Sequence, residues 1–223
     1  MKQGILYIVA TPIGNYQDIT LRAINTLRSA SAVVCEELRL GSTLLKKIGI
    51  EQKEILTLNE HNEDEQTGAL IIRLHQGDSL ALISDCGTPT FADPGARLLE
   101  EAIQQGIQVV PIPGPSSLMS ALSVSPIPLN EFIFAGFLPR KDPERISKLR
   151  NLQSIRMPLV LMDTPYRLGK LLEEVETVFG KNRQVTLAID LTLHSELVLH
   201  GSLAEIRQRI QARKGEFVLV VHR

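Results

Sequence analysis

Residues 4–15, with the sequence GILYIVATPIGN, decide the fold of this chain. Residues 5–10 are all apolar, and Thr11 and Pro12 end the run. A strand that is apolar on both faces is typical of a parallel sheet covered by helices on both sides. The run is too short to cross a membrane or to serve as the apolar core of a signal peptide. The segment therefore predicts a buried first strand followed by a rigid loop.

The same alternation of buried strand and amphipathic helix continues through the first half of the chain. Asp18 and Thr20 are candidate N-caps of the first helix. Its predicted apolar stripe consists of Leu21, Ala23, Ile24 and Leu27. Further strands are predicted at residues 32–35, 54–58, 80–83 and 107–110, and further helices at residues 38–48, 64–75 and 94–105. Regular alternation of strands and helices predicts a mostly parallel α/β sheet.

Residues 111–115, PIPGP, interrupt the alternation with three prolines, too many for the interior of a sheet. We place a domain boundary here, so that residues 1–113 form an N-terminal α/β domain and residues 114–223 a C-terminal α/β domain. In the second domain, strands are predicted at residues 132–135, 159–162, 185–189, 197–200 and 217–221, and helices at residues 116–124, 142–152, 166–179 and 203–212. Each half has about 110 residues, within the usual size of a domain.

The composition is that of an ordinary globular protein with no global signature of nucleic-acid binding. Hydrophobic residues make up 43% of the 223 residues, charged residues make up 22%, and the formal net charge is −1. A local basic segment, residues 140–156, holds six Lys and Arg against two acidic residues. This segment either contacts an RNA backbone or forms a solvated helix face.

The cysteines and histidines give no pattern of metal ligands. Cys35 and Cys86 lie in unrelated contexts, neither belongs to a CxxC pair, and the five histidines are scattered. We therefore expect no metal site. Two isolated cysteines in a chain without a recognisable signal peptide or membrane span favour the reducing cytoplasm.

Four predicted strand ends carry loops rich in Gly, Pro, Ser, Thr and Asp, at residues 11–15, 84–95, 113–117 and 163–167. Ligands of open α/β sheets bind beyond the carboxyl ends of the strands. Glycine allows close approach of a backbone to a ligand and proline stiffens the loop, although such loops also serve simply to turn the chain. Neither a phosphate-binding GxxxxGK[ST] motif nor a GxGxxG motif after the first strand is present, which argues against nucleotide hydrolysis and ordinary dinucleotide binding.

Four segments resemble the tetrapyrrole methylase superfamily, and most of all its ribosomal RNA small-subunit methyltransferase I branch. They are LYIVATPIGNYQDITLRAINTL at residues 6–27, ISDCGTPTFADPG at 83–95, VVPIPGPSSLMSAL at 109–122 and FAGFLPRK at 134–141. The likeness covers nearly the whole chain. It implies a homodimer of two α/β domains that binds S-adenosylmethionine in a cleft between the domains.

The resemblance also implies which residues contact S-adenosylmethionine. They come from the first loop, the second loop, the segment after the domain boundary and the second domain, and are Pro12, Cys86, Gly87, Thr88, Phe91, Ser116, Ser117, Asp163 and Leu191.

The chain departs from the rRNA branch at positions where a methyl acceptor would lie. Residues 36–39 read EELR instead of two acids, Thr and Arg, and residues 163–167 read DTPYR instead of ESPHR. Leu193 stands where the branch usually has Lys, and the sequence ends at Arg223, without the C-terminal extension usual in the branch.

Three side chains near the first departure are candidate catalytic residues. An oxygen acceptor must lose a proton during methylation, so Glu36 or Glu37 is a candidate base, as is Asp163 in the second domain. Arg39 is a candidate phosphate contact. The ordinary alternative for each acid is a surface or loop role, which is the commoner one, and Arg39 could simply pair with Glu36 or Glu37.

The sequence predicts an S-adenosylmethionine-dependent methyltransferase that modifies a ribose 2'-hydroxyl of small-subunit rRNA. Its expected partners are rRNA or the ribosomal subunit and a second copy of the chain, with no membrane. Two alternatives stay open: methylation of a tetrapyrrole or another small molecule, which the near-neutral charge and the missing extension favour, and a non-catalytic protein that binds S-adenosylmethionine or a protein partner.

Overall fold

The computed structural model describes residues 3–90, 94–211 and 213–223, which form two compact units, Met1–Ser116 and Ser117–Arg223. Each unit is built around its own five-stranded sheet with helices packed on it, so the predicted α/β fold class is confirmed. The longest helix in the described residues has 13 residues, and none there combines the length and apolar character that crossing a bilayer requires.

In unit 1, every strand is followed by a helix except the last. The strands are β1 Ile5–Val9, β2 Ala32–Cys35, β3 Glu54–Thr57, β4 Leu80–Ile83 and β5 Gln108–Ile112, and the helices are α1 Leu21–Ser29, α2 Leu38–Lys47, α3 Glu63–His75 and α4 Ala96–Gln104. The sheet has the order β3-β2-β4-β1-β5, and all its pairings are parallel. Strands β2 and β4 are buried along their whole length, as the apolar runs predicted.

Successive side chains of each strand enter opposite layers of the core. Val33 and Ile83 pack with α1 and α2 on one face, whereas Val34 and Leu82 pack with α3 and α4 on the other. Thr20 is the N-cap that fixes where α1 begins, since its hydroxyl accepts a hydrogen bond from the Ala23 amide at 3.1 Å.

The order of the strands creates a switch point between β1 and β4. The chain leaves β1 towards β2 through α1 on one face, and leaves β4 towards β5 through α4 on the other face. The loops that follow these two neighbouring strands therefore diverge and leave a crevice at their carboxyl ends. Open α/β sheets bind ligands at such a crevice.

Strand β5 corrects one expectation about the proline-rich segment. The strand was expected to end before Pro111, but it continues through Pro111 to Ile112. Because β5 is an edge strand, only one of its sides pairs with β1, and the Ala10 amide donates to the Ile112 carbonyl at 3.1 Å. The neighbouring Pro111 therefore faces the open side, where no amide hydrogen is needed.

Unit 2 has a sheet of a different kind. Its strands are β6 Ile133–Phe137, β7 Leu159–Asp163, β8 Gln184–Ile189, β9 Leu197–Ser202 and β10 Phe217–Val221, and its helices are α5 Ser117–Ser123, α6 Asp142–Gln153, α7 Leu168–Phe179 and α8 Leu203–Ile210. The sheet order is β6-β7-β10-β8-β9, in which β6 and β7 are parallel and the other three pairings are antiparallel.

The antiparallel pairings bring the beginning of β10 beside the ends of β7 and β8. Phe217, the first residue of β10, pairs with Asp163 and with Ile189, the last residues of β7 and β8. Segments that are far apart in the sequence therefore emerge together at this end of the unit 2 sheet.

Candidate functional site

Thr11 ties the loop after β1 to the loop after β4, on either side of the switch point in unit 1. Its side chain is buried, its amide donates to the Gly87 carbonyl at 2.8 Å, and its hydroxyl donates to the Ser84 carbonyl at 2.9 Å. The Ser84 hydroxyl in turn accepts from the Cys86 amide at 3.0 Å. Hydrogen bonds within and between the two loops thus hold both of them in place.

Two glycines permit close packing among three loops of unit 1. Gly87 has φ +85°, and a Cβ there would lie 3.2 Å from Ile13 Cγ2. A Cβ on Gly114, in the loop after β5, would lie 3.1 Å from the Cβ of Ala10. The Thr88 hydroxyl also donates to the Pro115 carbonyl at 3.2 Å. The loops after β1, β4 and β5 therefore form one interlocked surface in unit 1.

A cavity of about 130 Å³ opens at the switch point, between these loops and the beginning of α2. It is lined by Thr11, Pro12, Ile13, Gly14, Tyr16, Leu40, Gly41, Leu44, Ile83, Ser84, Asp85 and Cys86. The lining combines apolar residues, such as Leu44 and Ile83, with the acidic Asp85. Such a mixture binds an organic molecule that also has polar groups.

The candidate catalytic residues lie where β2 leads into α2. The Glu37 carboxylate caps α2 by accepting from the Arg39 amide at 3.4 Å, and the Glu37 amide donates to Asp85 Oδ1 at 3.4 Å. Glu36 is half-buried, whereas the side chains of Glu37 and Arg39 are exposed. The cap gives Glu37 a structural task, and the catalytic role of these three residues stays a prediction.

The two cysteines differ in their surroundings. Cys35 is buried at the end of β2, and its pKa is raised to about 11 by burial, with further contributions from the charges of Asp85 and Glu37. It therefore stays a neutral thiol at physiological pH. Cys86 is exposed, and its sulfur lies 3.6 Å from the Ile13 carbonyl oxygen.

Asp163, the predicted cofactor contact at the end of β7, lies in a buried ion cluster of unit 2. Its Oδ2 accepts from Arg145 Nη2 at 2.8 Å, and its Oδ1 accepts from the Thr164 amide at 2.8 Å. Arg145 also contacts both carboxylate oxygens of Glu174, at 2.8 to 3.2 Å, and donates to the Pro139 carbonyl at 3.0 Å. The pairing leaves Asp163 only 5% exposed.

The burial of Arg145 corrects the interpretation of the basic segment. Residues 140–156 were expected to present six basic side chains, either to RNA or to solvent. Arg145 is fully buried instead, because its guanidinium neutralises Asp163 and Glu174 inside unit 2. The exposed members of the segment are Arg140, Lys141, Arg150 and Arg156, and Lys148 is half-buried.

The remaining predicted cofactor residues lie in both units. Leu191 follows β8 and is half-buried between Asp190 and Thr192, whose φ angles of 52° and 69° are left-handed and rare for such residues. Ser116 ends unit 1, and Ser117 begins α5 in unit 2. Phe91 lies outside the described residues.

Of the twelve residues that line the cavity, Pro12 and Cys86 were among the predicted site residues and the other ten were not. Thr11 and Asp85 lie within the quoted motifs, and their position after β1 and β4 is the signal that would have identified them. Tyr16 and Leu40 reach the cavity from a short 3-10 turn and from the first turn of α2. Tyr16 lies within the first quoted segment, but neither residue directly follows a strand, so the position at a strand end does not identify them.

The chain is similar to known proteins over nearly its whole length. Residues 5–207 match the family model described as Tetrapyrrole (Corrin/Porphyrin) Methylases. The chain is 43% identical over 222 residues to ribosomal RNA small subunit methyltransferase I of Xylella fastidiosa (strain Temecula1), covering 98% of this chain and 81% of that protein. The proteins of the same name from Mesorhizobium japonicum and Escherichia coli O157:H7 are 43% and 38% identical, over 97% and 99% of this chain and 74% and 78% of their own lengths.

Solved structures share the fold at lower identity. A diphthine synthase aligns with a TM-score of 0.78 and 18% identity, covering 98% of this chain and 90% of its own. The uroporphyrin-III-C-methyltransferase from Thermus thermophilus aligns with a TM-score of 0.65 and 21% identity, covering 99% and 94%. The family match and the similarity of the rRNA relatives together show that the chain belongs to the tetrapyrrole methylase family and is an S-adenosylmethionine-dependent methyltransferase.

Proposed function

We propose that this chain transfers a methyl group from S-adenosylmethionine to a ribose 2'-hydroxyl of small-subunit rRNA. The observation that carries the acceptor class is the identity of about two residues in five with several ribosomal RNA small subunit methyltransferases I, over nearly the whole chain. The ribose hydroxyl as the position of methylation comes from the resemblance of the sequence to that branch.

The interlocked loops of unit 1 suit the methyl donor. The donor is flat and apolar at its adenine and charged at its sulfonium and amino-acid end, and the lining of the cavity includes apolar residues, the acidic Asp85 and loop residues. A cavity of about 130 Å³ is smaller than the roughly 300 to 1,000 Å³ of typical ligand pockets, so it would enclose only part of the donor or the reacting group of the acceptor.

We assign donor binding in unit 1 to Pro12, Cys86, Gly87, Thr88 and Ser116. Phe91, together with Ser117, Asp163 and Leu191 of unit 2, completes the proposed set. Bound S-adenosylmethionine supplies a methyl group activated by the positive charge on its sulfur. The chain's own contribution is to hold the reacting groups in rigid loops and to exclude water from them.

A carboxylate near the cavity would accept the proton that an acceptor hydroxyl loses. Asp85 lines the cavity, and its Oδ1 lies 3.4 Å from the Glu37 amide, so it joins Glu36 and Glu37 as a candidate base. Arg39, in the first turn of α2, would contact an RNA phosphate. Replacing Asp85 with Asn should then slow transfer at saturating donor by about 10²-fold or more.

The charges are distributed unequally, which supports a polyanionic acceptor. Residues 117–223 carry 15 Lys and Arg against 11 Asp and Glu, whereas residues 1–116 carry 9 against 14. The near-neutral total therefore conceals a basic unit 2. Basic surface attracts the phosphate backbone of nucleic acid without regard to sequence.

Two further parts of the proposal concern assembly and location. The homodimer follows from the family resemblance, and light scattering on the purified chain tests it. Action in the cytoplasm agrees with two free cysteines, one buried and one exposed.

Labelled methyl transfer tests the acceptor. The purified chain, labelled S-adenosylmethionine and small ribosomal subunits from cells lacking this protein should give label in rRNA, and nuclease digestion should recover it in a ribose-methylated nucleoside. Label in a methylated base would contradict the ribose assignment. Label in a tetrapyrrole but not in rRNA would favour the small-molecule alternative.

Calorimetry with S-adenosylmethionine measures donor binding separately from methyl transfer. The wild type should bind, and Gly87→Val should not, because a side chain at φ +85° is strained and would meet Ile13. The control Gly68→Ala lies on the exposed side of α3 and should bind S-adenosylmethionine as the wild type does. Binding without transfer to any acceptor would favour the non-catalytic alternative, and the absence of binding would refute the donor assignment.

A further inference from the structure

One end of the unit 2 sheet collects basic side chains around an exposed aromatic ring. Tyr166 and Arg167 follow β7, and Lys214 precedes β10, which begins where β7 ends. Arg140 and Lys141 follow β6, whose last residue, Phe137, pairs with Met162 of β7. These five side chains, Arg140, Lys141, Tyr166, Arg167 and Lys214, are here named the Tyr166 surface.

The Tyr166 side chain does not pack in the core of unit 2. Tyr166 is 78% exposed, a high value among the large apolar residues that the structure describes. The Lys214 ammonium lies 5.1 Å from the centroid of the ring, within the range of a cation–π contact. This contact orients the ring and leaves most of it open to solvent. A flat ring of this kind next to a cation is typical of sites where nucleobases stack.

Acidic groups around the Tyr166 surface are already occupied by other partners. Asp163 is paired with the buried Arg145, Asp142 with Lys170 at 2.5 Å, and Asp190 with Arg213 at 3.1 Å. The Glu196 carboxylate accepts from the Thr192 amide at 2.6 Å.

The basic groups of the surface are not neutralised in the same way. Within the described ranges, no carboxylate lies at ion-pair distance from Arg140, Lys141, Arg167 or Lys214. The exposed acids nearest in sequence are Asp142, which follows Lys141 and also interacts electrostatically with Arg167, and Glu216, two residues after Lys214; they are two negative charges against four positive ones. The surface therefore keeps a positive excess that an anionic partner would complement.

We propose that the Tyr166 surface binds a single-stranded segment of the acceptor RNA. Tyr166 stacks on one base, and Lys214, Arg167, Arg140 and Lys141 contact the phosphates on either side. Exposed bases of this kind occur in single-stranded loops of RNA rather than in its duplexes. This inference rests on the proposed function, because it assigns the surface to the acceptor of that reaction.

Binding of a labelled 12-nucleotide single-stranded RNA, followed by fluorescence anisotropy, tests the proposal. Tyr166→Ala should weaken binding about tenfold, and Tyr166→Phe should bind within twofold of the wild type, because the ring and not the hydroxyl stacks. Lys214→Ala should weaken binding and lower the slope of log affinity against log salt by about 0.7. Both positions are on the surface, so thermal melting should show that each of the three variants folds.

Lys181→Ala is the matched control for charge. Lys181 is exposed and precedes β8, at the opposite end of the same sheet, so its loss should not change the salt slope. Any of three outcomes would overturn the proposal. They are RNA binding by Tyr166→Ala as tight as that of the wild type, equal losses of RNA affinity in Lys181→Ala and Lys214→Ala, and no RNA binding by the wild type.

Donor binding and methyl transfer keep the two proposals apart. The surface variants should bind S-adenosylmethionine as the wild type does. If the wild type methylates rRNA and Tyr166→Ala has the same KM for that RNA, the role of the Tyr166 surface is refuted but the proposed function is not. Absence of both donor binding and transfer in the wild type would refute the proposed function itself.

Discussion

Arg145 shows how a single buried residue organises the end of β7. Its guanidinium contacts the carboxylates of Asp163 and Glu174 and the Pro139 carbonyl, so it joins α6 to α7, to the end of β7 and to the loop after β6. A buried charge is tolerated only when it is paired and hydrogen-bonded. The planar fork of arginine reaches these acceptors together, which the single ammonium of lysine does not.

Removing Arg145 should therefore destabilise the chain strongly. We expect Arg145→Ala to lower the free energy of unfolding by about 3 to 5 kcal/mol, because two buried carboxylates lose their partner. Arg145→Lys should cost less, since it keeps the charge but loses the fork. Urea denaturation followed by circular dichroism measures both. Lys148→Ala on the same helix should stay within about 0.5 kcal/mol of the wild type, and an equally small effect of Arg145→Ala would contradict the argument.

His222 makes the stability of unit 2 sensitive to acid. The buried Thr186 hydroxyl lies 2.9 Å from His222 Nε2 and 3.1 Å from His200 Nδ1. Burial lowers the pKa of His222, and the nearby His200 lowers it further. The neutral form is therefore favoured in the fold. Its contribution to stability is present above the ordinary histidine pKa of about 6.5 and is lost as the pH falls through the lowered pKa.

We accordingly expect the free energy of unfolding to fall between pH 7.5 and pH 5, and His222→Gln to reduce that fall. Urea midpoints measured across this range supply the comparison. His61→Gln, at an exposed position before α3, should leave the pH dependence as in the wild type. The same fall in the His222→Gln variant as in the wild type would assign the acid sensitivity to other groups.

At the scale of elements, two glycines in helices of unit 1 predict opposite effects of one substitution. Gly68 lies on the exposed side of α3 with no atom within 4 Å of an added Cβ, so Gly68→Ala should stabilise by about 0.5 to 1 kcal/mol. Gly41 of α2 packs on β2, and an added Cβ would lie 2.7 Å from Cys35 Sγ. Gly41→Ala should therefore destabilise by about 1 to 3 kcal/mol.

Denaturant titration of both variants and of the double variant Cys35→Ala/Gly41→Ala checks this argument. Removing the sulfur should recover part of the loss, because the clash is with that atom. The prediction for Gly41 fails if Gly41→Ala lowers the free energy of unfolding as much in the Cys35→Ala background as in the wild type. The prediction for Gly68 fails when Gly68→Ala has a lower midpoint than the wild type.

The elements of unit 1 could be predicted from local pattern because their strands are buried on both faces. Ala32–Cys35 and Leu80–Ile83 have the predicted bounds, and the other strands and helices differ by one or two residues at their ends. Thr20 was a predicted cap. The direction of the strands in unit 2 could not be predicted in this way, since an apolar run has the same pattern in a parallel and in an antiparallel pair.

The candidate site could be predicted only in part, for a similar reason. The loops after β1 and β4 were identified because Gly, Pro and Thr concentrate at strand ends. Arg145 was interpreted with the surface charges, because its burial depends on two carboxylates that are 18 and 29 residues away. Tyr16 and Leu40 line the cavity but do not directly follow a strand, so the position at a strand end does not identify them.

On the scale of the whole molecule, the unequal charges predict that salt acts differently on the two proposed ligands. Residues 117–223 have a net charge of +4 and residues 1–116 a net charge of −5. Because phosphate contacts release counterions, affinity for RNA should fall steeply between 50 and 200 mM salt, whereas affinity for S-adenosylmethionine should change little. Steady-state kinetics in which each substrate is varied in turn measures both KM values.

A rise of the two KM values by the same factor would contradict this prediction, because it would indicate a general effect of salt on the fold. Thermal melting in the same buffers provides the control. The prediction rests on the proposed acceptor, and a tetrapyrrole acceptor would be expected to show a weaker dependence, because it displaces fewer counterions than an RNA backbone.

Pro111 has a consequence for the solubility of the chain during and after folding. An edge strand usually offers a row of free amides to which another chain can add a strand, and such additions propagate into aggregates. The exposed Pro111 faces the unpaired side of β5 and removes one donor from that row. Pro111, on the edge strand of the parallel sheet, thus hinders the addition of a strand from another molecule. A β-branched residue at this position would restore the amide donor and favour intermolecular strand pairing.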